Sequence, residues 1–251
     1  MHRFFVSKNQ IKNSTIIFEE DIEHQINNVL RLTAGNKVIV FDNSGFEYLI
    51  ELRKLNGNSI DGEIIKKIKI DIESSIEITL FQSILKSKER FEYILQKCTE
   101  LGVIRFVPLI TSRTIPRITS NWISTKRLRW EKIIREAAEQ SGRVLLPELS
   151  EIQYFNRVSE LKQHPSIILW EEEEIHAIRN YLYVLANDST NCISKINVIV
   201  GPEGGFEKNE IQYAKNMGVE SVSLGNRILR SDTAGIAAVS CVMYEFGQFS
   251  P

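Results

Sequence analysis

Two loops of this 251-residue chain hold the residue types that could do chemistry. The first lies in "INVIVGPEGGFEKNEIQ" (196–212), where an apolar run meets a glycine-rich turn and then a charged helix start. Such turns often cradle phosphate, because the free N–H groups of a helix N-terminus point at the ligand. This one matches neither GxGxxG nor GxxxxGK[ST]. It carries Glu203 at its centre and no lysine, so it repels a polyphosphate and tolerates a cation. The second loop, "LGNRILRSDTAG" (224–235), sets Arg227 and Arg230 around Ile228 and Leu229. An apolar pair beside glycines breaks ordinary loop chemistry and suits an aromatic, largely uncharged ligand such as adenine. Ser231 or Asp232 is expected to cap the helix that follows.

These loops need strand ends to hold them. From about residue 76 the chain alternates strand-like and helix-like segments: "IEITLFQSIL", "KSKERFEYILQKCTELG" closed by Gly102, "VIRFVPLI", and a long helix through "RLRWEKIIREAAEQSG". "SIILW", a helix near "IHAIRNYLYVLA", "INVIV", "EIQYAKNMG", "VESVSLG" and "SDTAGIAAVSCVMYEF" continue the pattern. Alternation of this kind implies a parallel sheet covered on both faces, with ligands at the carboxyl ends of the strands. Trp170-Glu171, Gly201–Gly205 and Leu224–Arg230 all fall at such ends. The last helix is apolar nearly all round, which places it in the core or against a partner.

The first 70 or so residues read as β-rich. "KVIVFDNSGFEYLIEL" is a hairpin about a DNSG turn, and "NSIDGEIIKKIKI" repeats the theme after "NGN". "EEDIEHQINNVLRL" interrupts them as a short helix, with Asp21 as its expected N-cap. The reading is a small β domain over 1–72 and an α/β domain over 73–251, joined near "KIDIESS".

Three scattered cysteines (Cys98, Cys192, Cys241) give neither a disulfide framework nor a zinc pattern, and the four histidines have no nucleophile partner. No signal peptide or membrane span is expected, so the expected compartment is the cytoplasm. A net charge of −1 hides an asymmetry: 13 Lys and Arg against 6 Glu over 86–143, then 5 basic against 11 acidic residues over 147–210. Segregation of this kind can make one attractive face on a nearly neutral molecule.

"IVGPEGGFEKNEI" and "LGNRILRSDTAGIAAV" resemble the two C-terminal motifs of the bacterial 16S ribosomal RNA uridine-N3 methyltransferases, of the SPOUT class. "HQINNVLRLTAGNKVIVFDNSG", "SKERFEYILQKCTELGV" and "REAAEQSGR" are similar to further family segments, so the resemblance runs over nearly the whole chain. The family usually carries Thr-Glu where this chain has Ser231-Asp232, which keeps the carboxylate but shortens its reach.

The resemblance implies an N-terminal PUA-like β-barrel that binds RNA, followed by a SPOUT α/β domain. A trefoil knot and the cofactor site would lie at about 165–240. It implies S-adenosylmethionine bound by Leu169, Glu171, Val200, Gly201, Pro202, Glu203 and Gly205 from one side. Leu224, Gly225, Ile228 and Leu229 would close the other. Arg230 would orient the uracil and stabilise charge on its oxygens, with Asp232 as candidate proton acceptor. The small ribosomal subunit's 16S rRNA would be gripped by Arg3, Arg31, Lys88, Arg90, Arg113, Gln140 and Arg143, mostly at phosphates. A homodimer through the SPOUT domain is implied, with no metal and no membrane. A SPOUT ribose 2′-O-methyltransferase and a catalytically silent RNA-binding or ribosome-assembly factor are the competing readings.

Overall fold

The computed structural model of the chain describes residues 1–54, 60–116, 118–188 and 193–249; the NGN turn at 56–58 and Cys192 lie outside them. The chain divides into two compact units, Met1–Glu73 with Ala138–Leu146, and Ser74–Ala137 with Pro147–Pro251. The first unit therefore recruits a distant segment, which a contiguous division at 72/73 does not contain.

In the first unit, β1 (Arg3–Phe5), β2 (Ile11–Lys12), β3 (Thr15–Ile17), β4 (Lys37–Phe41), β5 (Phe46–Lys54) and β6 (Ile60–Lys69) form one curled sheet in the order β1-β4-β5-β6-β3-β2. Only β1 and β4 run parallel. Alternate residues such as Val38 and Val40, or Tyr48, Ile50 and Leu52, point into a single core with Phe4, Ile16 and Ile26. The hairpin turn is built as the sequence suggests, with Asn43 and Gly45 both at positive φ. The helix α1 (Glu20–His24) starts two residues earlier than expected: Glu19 occupies its N-cap, and the Asp21 carboxylate instead accepts from the Ile22 N–H at 2.9 Å.

The second unit is a parallel sheet with helices on both faces. Its strands are β7 (Glu77–Ser83), β8 (Arg105–Ile110), the two-residue β9 (Glu148–Leu149) and β10 (Gln153–Tyr154), β11 (Ser166–Leu169), β12 (Lys195–Val200) and β13 (Glu220–Val222). The order is β10-β8-β7-β12-β11-β13, with β9 also on β8. The helices are α2 (Lys88–Glu100), α3 (Ser120–Ser141), α4 (Ile178–Ala186), α5 (Lys208–Asn216) and α6 (Ser231–Glu245).

Period-2 alternation sorts the strands between two cores. Ile78, Leu80, Ile196, Val198 and Val200 face the core shared with α2, α4 and α6, while Phe81 and Ile199 face the core shared with α5. The strand order turns back between β7 and β12, the switch point where open α/β sheets leave a crevice. After the edge strand β13, the chain crosses back past β11 so that α6 packs on β12 and β7. A return over strands already laid down is what the trefoil knot implied by the resemblance requires, an exception to the usual rule of unthreaded connections.

Candidate functional site

Three loops meet at the carboxyl ends of β11, β12 and β13 around a cavity of about 800 Å³. The glycine loop after β12 is a tight turn, with the Gly205 N–H donating to the Pro202 carbonyl at 3.0 Å. Gly205 has φ +70, and a Cβ there would lie 1.9 Å from a Glu171 carboxylate oxygen. Glycine is thus required twice, by backbone conformation and by the close approach of the neighbouring loop. Glu203 reaches out of the turn and accepts from the Lys86 N–H at 3.0 Å, at the entrance to α2. Arg113 donates to the Gly204 carbonyl at 2.6 Å. Buried Glu210 closes a capping box with Glu207 at the start of α5 and accepts from the Ser112 N–H at 2.9 Å. The loop is therefore fixed on several sides before any ligand arrives.

The second loop leaves β13 at Ser223, whose N–H donates to the His176 carbonyl and whose carbonyl accepts from the Ile178 N–H. Its tip is open: Ile228 is 86% exposed, Arg227 and Arg230 are exposed, and Leu229 is half-buried. The expected cap is not formed. Arg230 occupies the N-cap of α6 without a side-chain cap bond, and Ser231 is already helical. The Ser231 hydroxyl is buried and donates instead to the Gly201 carbonyl, joining the two loops. Asp232 lies in the first turn of α6, where a carboxylate complements the helix dipole, and its Oδ1 is buried with no hydrogen-bond partner among the described residues.

All eleven expected cofactor residues line this cavity, as does Arg230; Asp232 does not. The lining also holds residues not assigned to the cofactor, among them Trp170 and Glu173. Trp170 precedes Glu171 at the end of β11. Glu173, third of four consecutive glutamates at 171–174, is 8% exposed and accepts from Ser221 Oγ, the Ile175 N–H at 3.0 Å and the His176 N–H at 3.1 Å. Burial pushes the Glu173 carboxyl up, but these hydrogen bonds outweigh it and hold the group below the usual carboxylate range. The end of β11 four residues upstream was the available signal.

The expected RNA-binding residues divide. Arg90 lines the cavity half-buried, Lys88 is exposed beside Glu89 at 3.6 Å, and Arg31 and Gln140 are exposed. Arg3 and Arg143 differ from these, because both guanidinium groups are engaged within the first unit. Arg3 pairs with Glu47 and donates to the carbonyls of Gly142 and Arg143 at 3.0 Å each. Arg143 is 4% exposed and donates twice to Glu73, at 3.0 and 2.7 Å. Both stitch the recruited segment Ala138–Leu146 into the first unit.

An RNA methyltransferase domain family matches residues 72–243, and an RNA methyltransferase PUA domain family matches residues 26–65. The chain belongs to the RNA methyltransferase family. A ribosomal RNA small subunit methyltransferase E of Mesomycoplasma hyopneumoniae is 34% identical, covering 94% of this chain and 96% of that one. A protein of the same name from Bacillus subtilis is 29% identical over 98% and 97%. The crystal structure of a ribosomal RNA small subunit methyltransferase E from Neisseria gonorrhoeae, bound to S-adenosyl methionine, superposes with a TM-score of 0.85 at 31% identity, covering both chains fully. The β-rich PUA-like unit followed by a SPOUT α/β unit is thus the fold of an RNA methyltransferase. Among the described residues, no group of three His, Cys, Asp or Glu is placed to hold a metal, and no helix is long and apolar enough to cross a membrane.

Proposed function

We propose that this RNA methyltransferase transfers the methyl group of S-adenosylmethionine to N3 of a uridine in the 16S rRNA of the small ribosomal subunit. The cavity carries the reading. Its volume falls in the range of about 300–1,000 Å³ usual for small-molecule sites. Its lining sets four carboxylates (Glu171, Glu173, Glu174, Glu203) against three guanidinium groups (Arg90, Arg227, Arg230), with no lysine. That balance disfavours a polyphosphate and accommodates a sulfonium. Leu224, Ile228 and Leu229 offer an apolar wall for an adenine ring, and the backbone of Gly201, Pro202 and Gly225 offers polar edges beside it. Leu169, Val200, Glu171, Glu203 and Gly205 complete the set proposed to hold the donor.

When bound, S-adenosylmethionine supplies a methyl group already activated by positive sulfur. The chain's own task is to favour the deprotonated form of uracil N3. Arg230, exposed at the cavity rim, donates to the uracil oxygens and stabilises the charge they take up. Asp232 does not line the cavity and its Oδ1 is buried, which favours a role in positioning Arg230 over that of proton acceptor. Arg31, Lys88, Arg90, Arg113 and Gln140 meet RNA through phosphate. A homodimer is supported by α6, whose Ile236, Ala237 and Cys241 remain only half-buried and whose Tyr244 is 73% exposed. The cytoplasm, where this substrate is assembled, is the proposed compartment.

Primer extension on small-subunit rRNA tests the reaction. N3 methylation removes a pairing donor and arrests reverse transcriptase, whereas a ribose 2′-O-methyl group is mostly read through. Cells lacking the gene are expected to lose one strong stop at a uridine; retention of every stop refutes the uridine-N3 assignment. Calorimetry with S-adenosylmethionine is expected to show binding, and no heat at submillimolar cofactor points to a silent RNA-binding factor.

A further inference from the structure

Behind the cavity wall, and not lining it, lies Gln82 on β7, in register with Val200 on β12 and 1% exposed. Its Nε2 is 3.0 Å from Ser231 Oγ and 3.1 Å from the Ser83 carbonyl. A serine hydroxyl has one hydrogen, and that of Ser231 goes to the Gly201 carbonyl. Gln82 must therefore donate to Ser231, which fixes the orientation of its amide and leaves Oε1 buried without a partner among the described residues. An unpaired buried acceptor costs stability, so an apolar side chain here would pack more cheaply. Against Oε1 lies Gly235 of α6, where a Cβ would stand 3.1 Å from it. The helix gives up a better helix former at this position and leaves the amide room.

Gln82, Ser231 and Gly201 thus form one hydrogen-bonded line from β7 through the entrance of α6 to the end of β12. Gly201 and Ser231 belong to the two separate loops that face each other across the cavity. We propose that Gln82 is a positioning residue for the methyl donor: through Ser231 it sets the spacing of the two loops, and Gly235 is kept small so that it can. This rests on the reading of the cavity as the S-adenosylmethionine site.

The test is a thermodynamic cycle on the full chain, with S-adenosylmethionine affinity read by calorimetry beside Tm. Gln82→Met and Ser231→Ala are each expected to weaken the cofactor Kd about tenfold. The double variant should be no weaker than the worse single one, because both remove the same link. KM for the cofactor should rise while kcat at saturating cofactor stays within about threefold. Gly235→Ala favours helix and meets Val200 only at an ordinary van der Waals distance of 3.7 Å, so its Tm should hold while its Kd weakens severalfold. A merely structural role would move Tm and leave Kd alone. Wild-type Kd in folded Gln82→Met and Gly235→Ala, or additive losses in the double variant, overturns the proposal. A wild-type chain that shows no binding overturns the cofactor reading and this one together.

Discussion

Arg230 and Arg143 carry the same side chain and stand in similar sequence surroundings, polar and glycine-containing, at one end of a helix. Arg230 projects from the N-cap of α6 at the cavity rim, and its guanidinium has no ion pair or hydrogen bond among the described residues. Arg143 follows the C-terminus of α3 and is buried against Glu73, which also accepts from the N–H groups of Val144 and Leu145 at 3.0 and 3.1 Å. One cation is left free for a ligand; the other is consumed by the fold. Local charge density could not separate them, because the difference lies in whether a carboxylate arrives from far along the chain. The cavity loops differ in the same way from the N-terminal unit. Their backbone is pinned on several sides and their reactive side chains are left open, whereas Arg3 is itself one of the pins.

The sharpest way to break this contrast is Arg143→Ala. It leaves Glu73 in a largely buried position without its cation, and losing one partner of such a pair costs about 3–5 kcal/mol. Denaturant unfolding should show that loss, while RNA affinity per folded molecule stays unchanged. A weakened RNA affinity with unaltered stability would return Arg143 to the binding surface. Arg230→Ala should do the reverse: kcat falls roughly 10²–10³-fold, as for removal of a charge-stabilising donor, with Tm and cofactor Kd close to wild type. An active Arg230→Ala enzyme removes Arg230 from the reaction.

Smaller effects sharpen the picture. Arg31→Ala, at an exposed site in the first unit, should lower the slope of log K for RNA against log salt by about 1, without sequence preference. An unchanged slope excludes Arg31 from the phosphate contacts. Glu173 gives the weakest signal and a definite sign. Its folded pKa lies below the ordinary 4.5, so its contribution to stability is present above that pH and is lost as pH falls through the folded value. Glu173→Gln should therefore narrow the drop in Tm between pH 7 and pH 4 relative to wild type; an equal drop shows that another carboxylate controls it.

Much of the fold is legible in the sequence, because its determinants are local. The DNSG turn needs only residues that tolerate positive φ, and both Asn43 and Gly45 adopt it. The strand–helix alternation after residue 76 needs only period and punctuation, and the parallel sheet follows from it. The cavity loops were visible for the same reason: glycines, a carboxylate and an apolar pair stand beside strand ends. Three features were not legible. Glu173 looks like its three neighbours until Ser221 arrives from β13. Ser231 looks like a cap until its hydroxyl meets Gly201, 30 residues earlier. Arg3 looks like a surface charge until it meets carbonyls 139 and 140 residues away.

By itself, then, the sequence determined where strands, turns and helices lie, which loops fall at strand ends, and which residue types those loops offer. Periodicity and turn chemistry act over a few residues and are written in order along the chain. Tertiary structure alone decided which of those side chains stay free. Partnership is settled by what burial brings together, and an arginine, a glutamate or a serine meets its partner only after the sheet has ordered its strands and α6 has packed back across them.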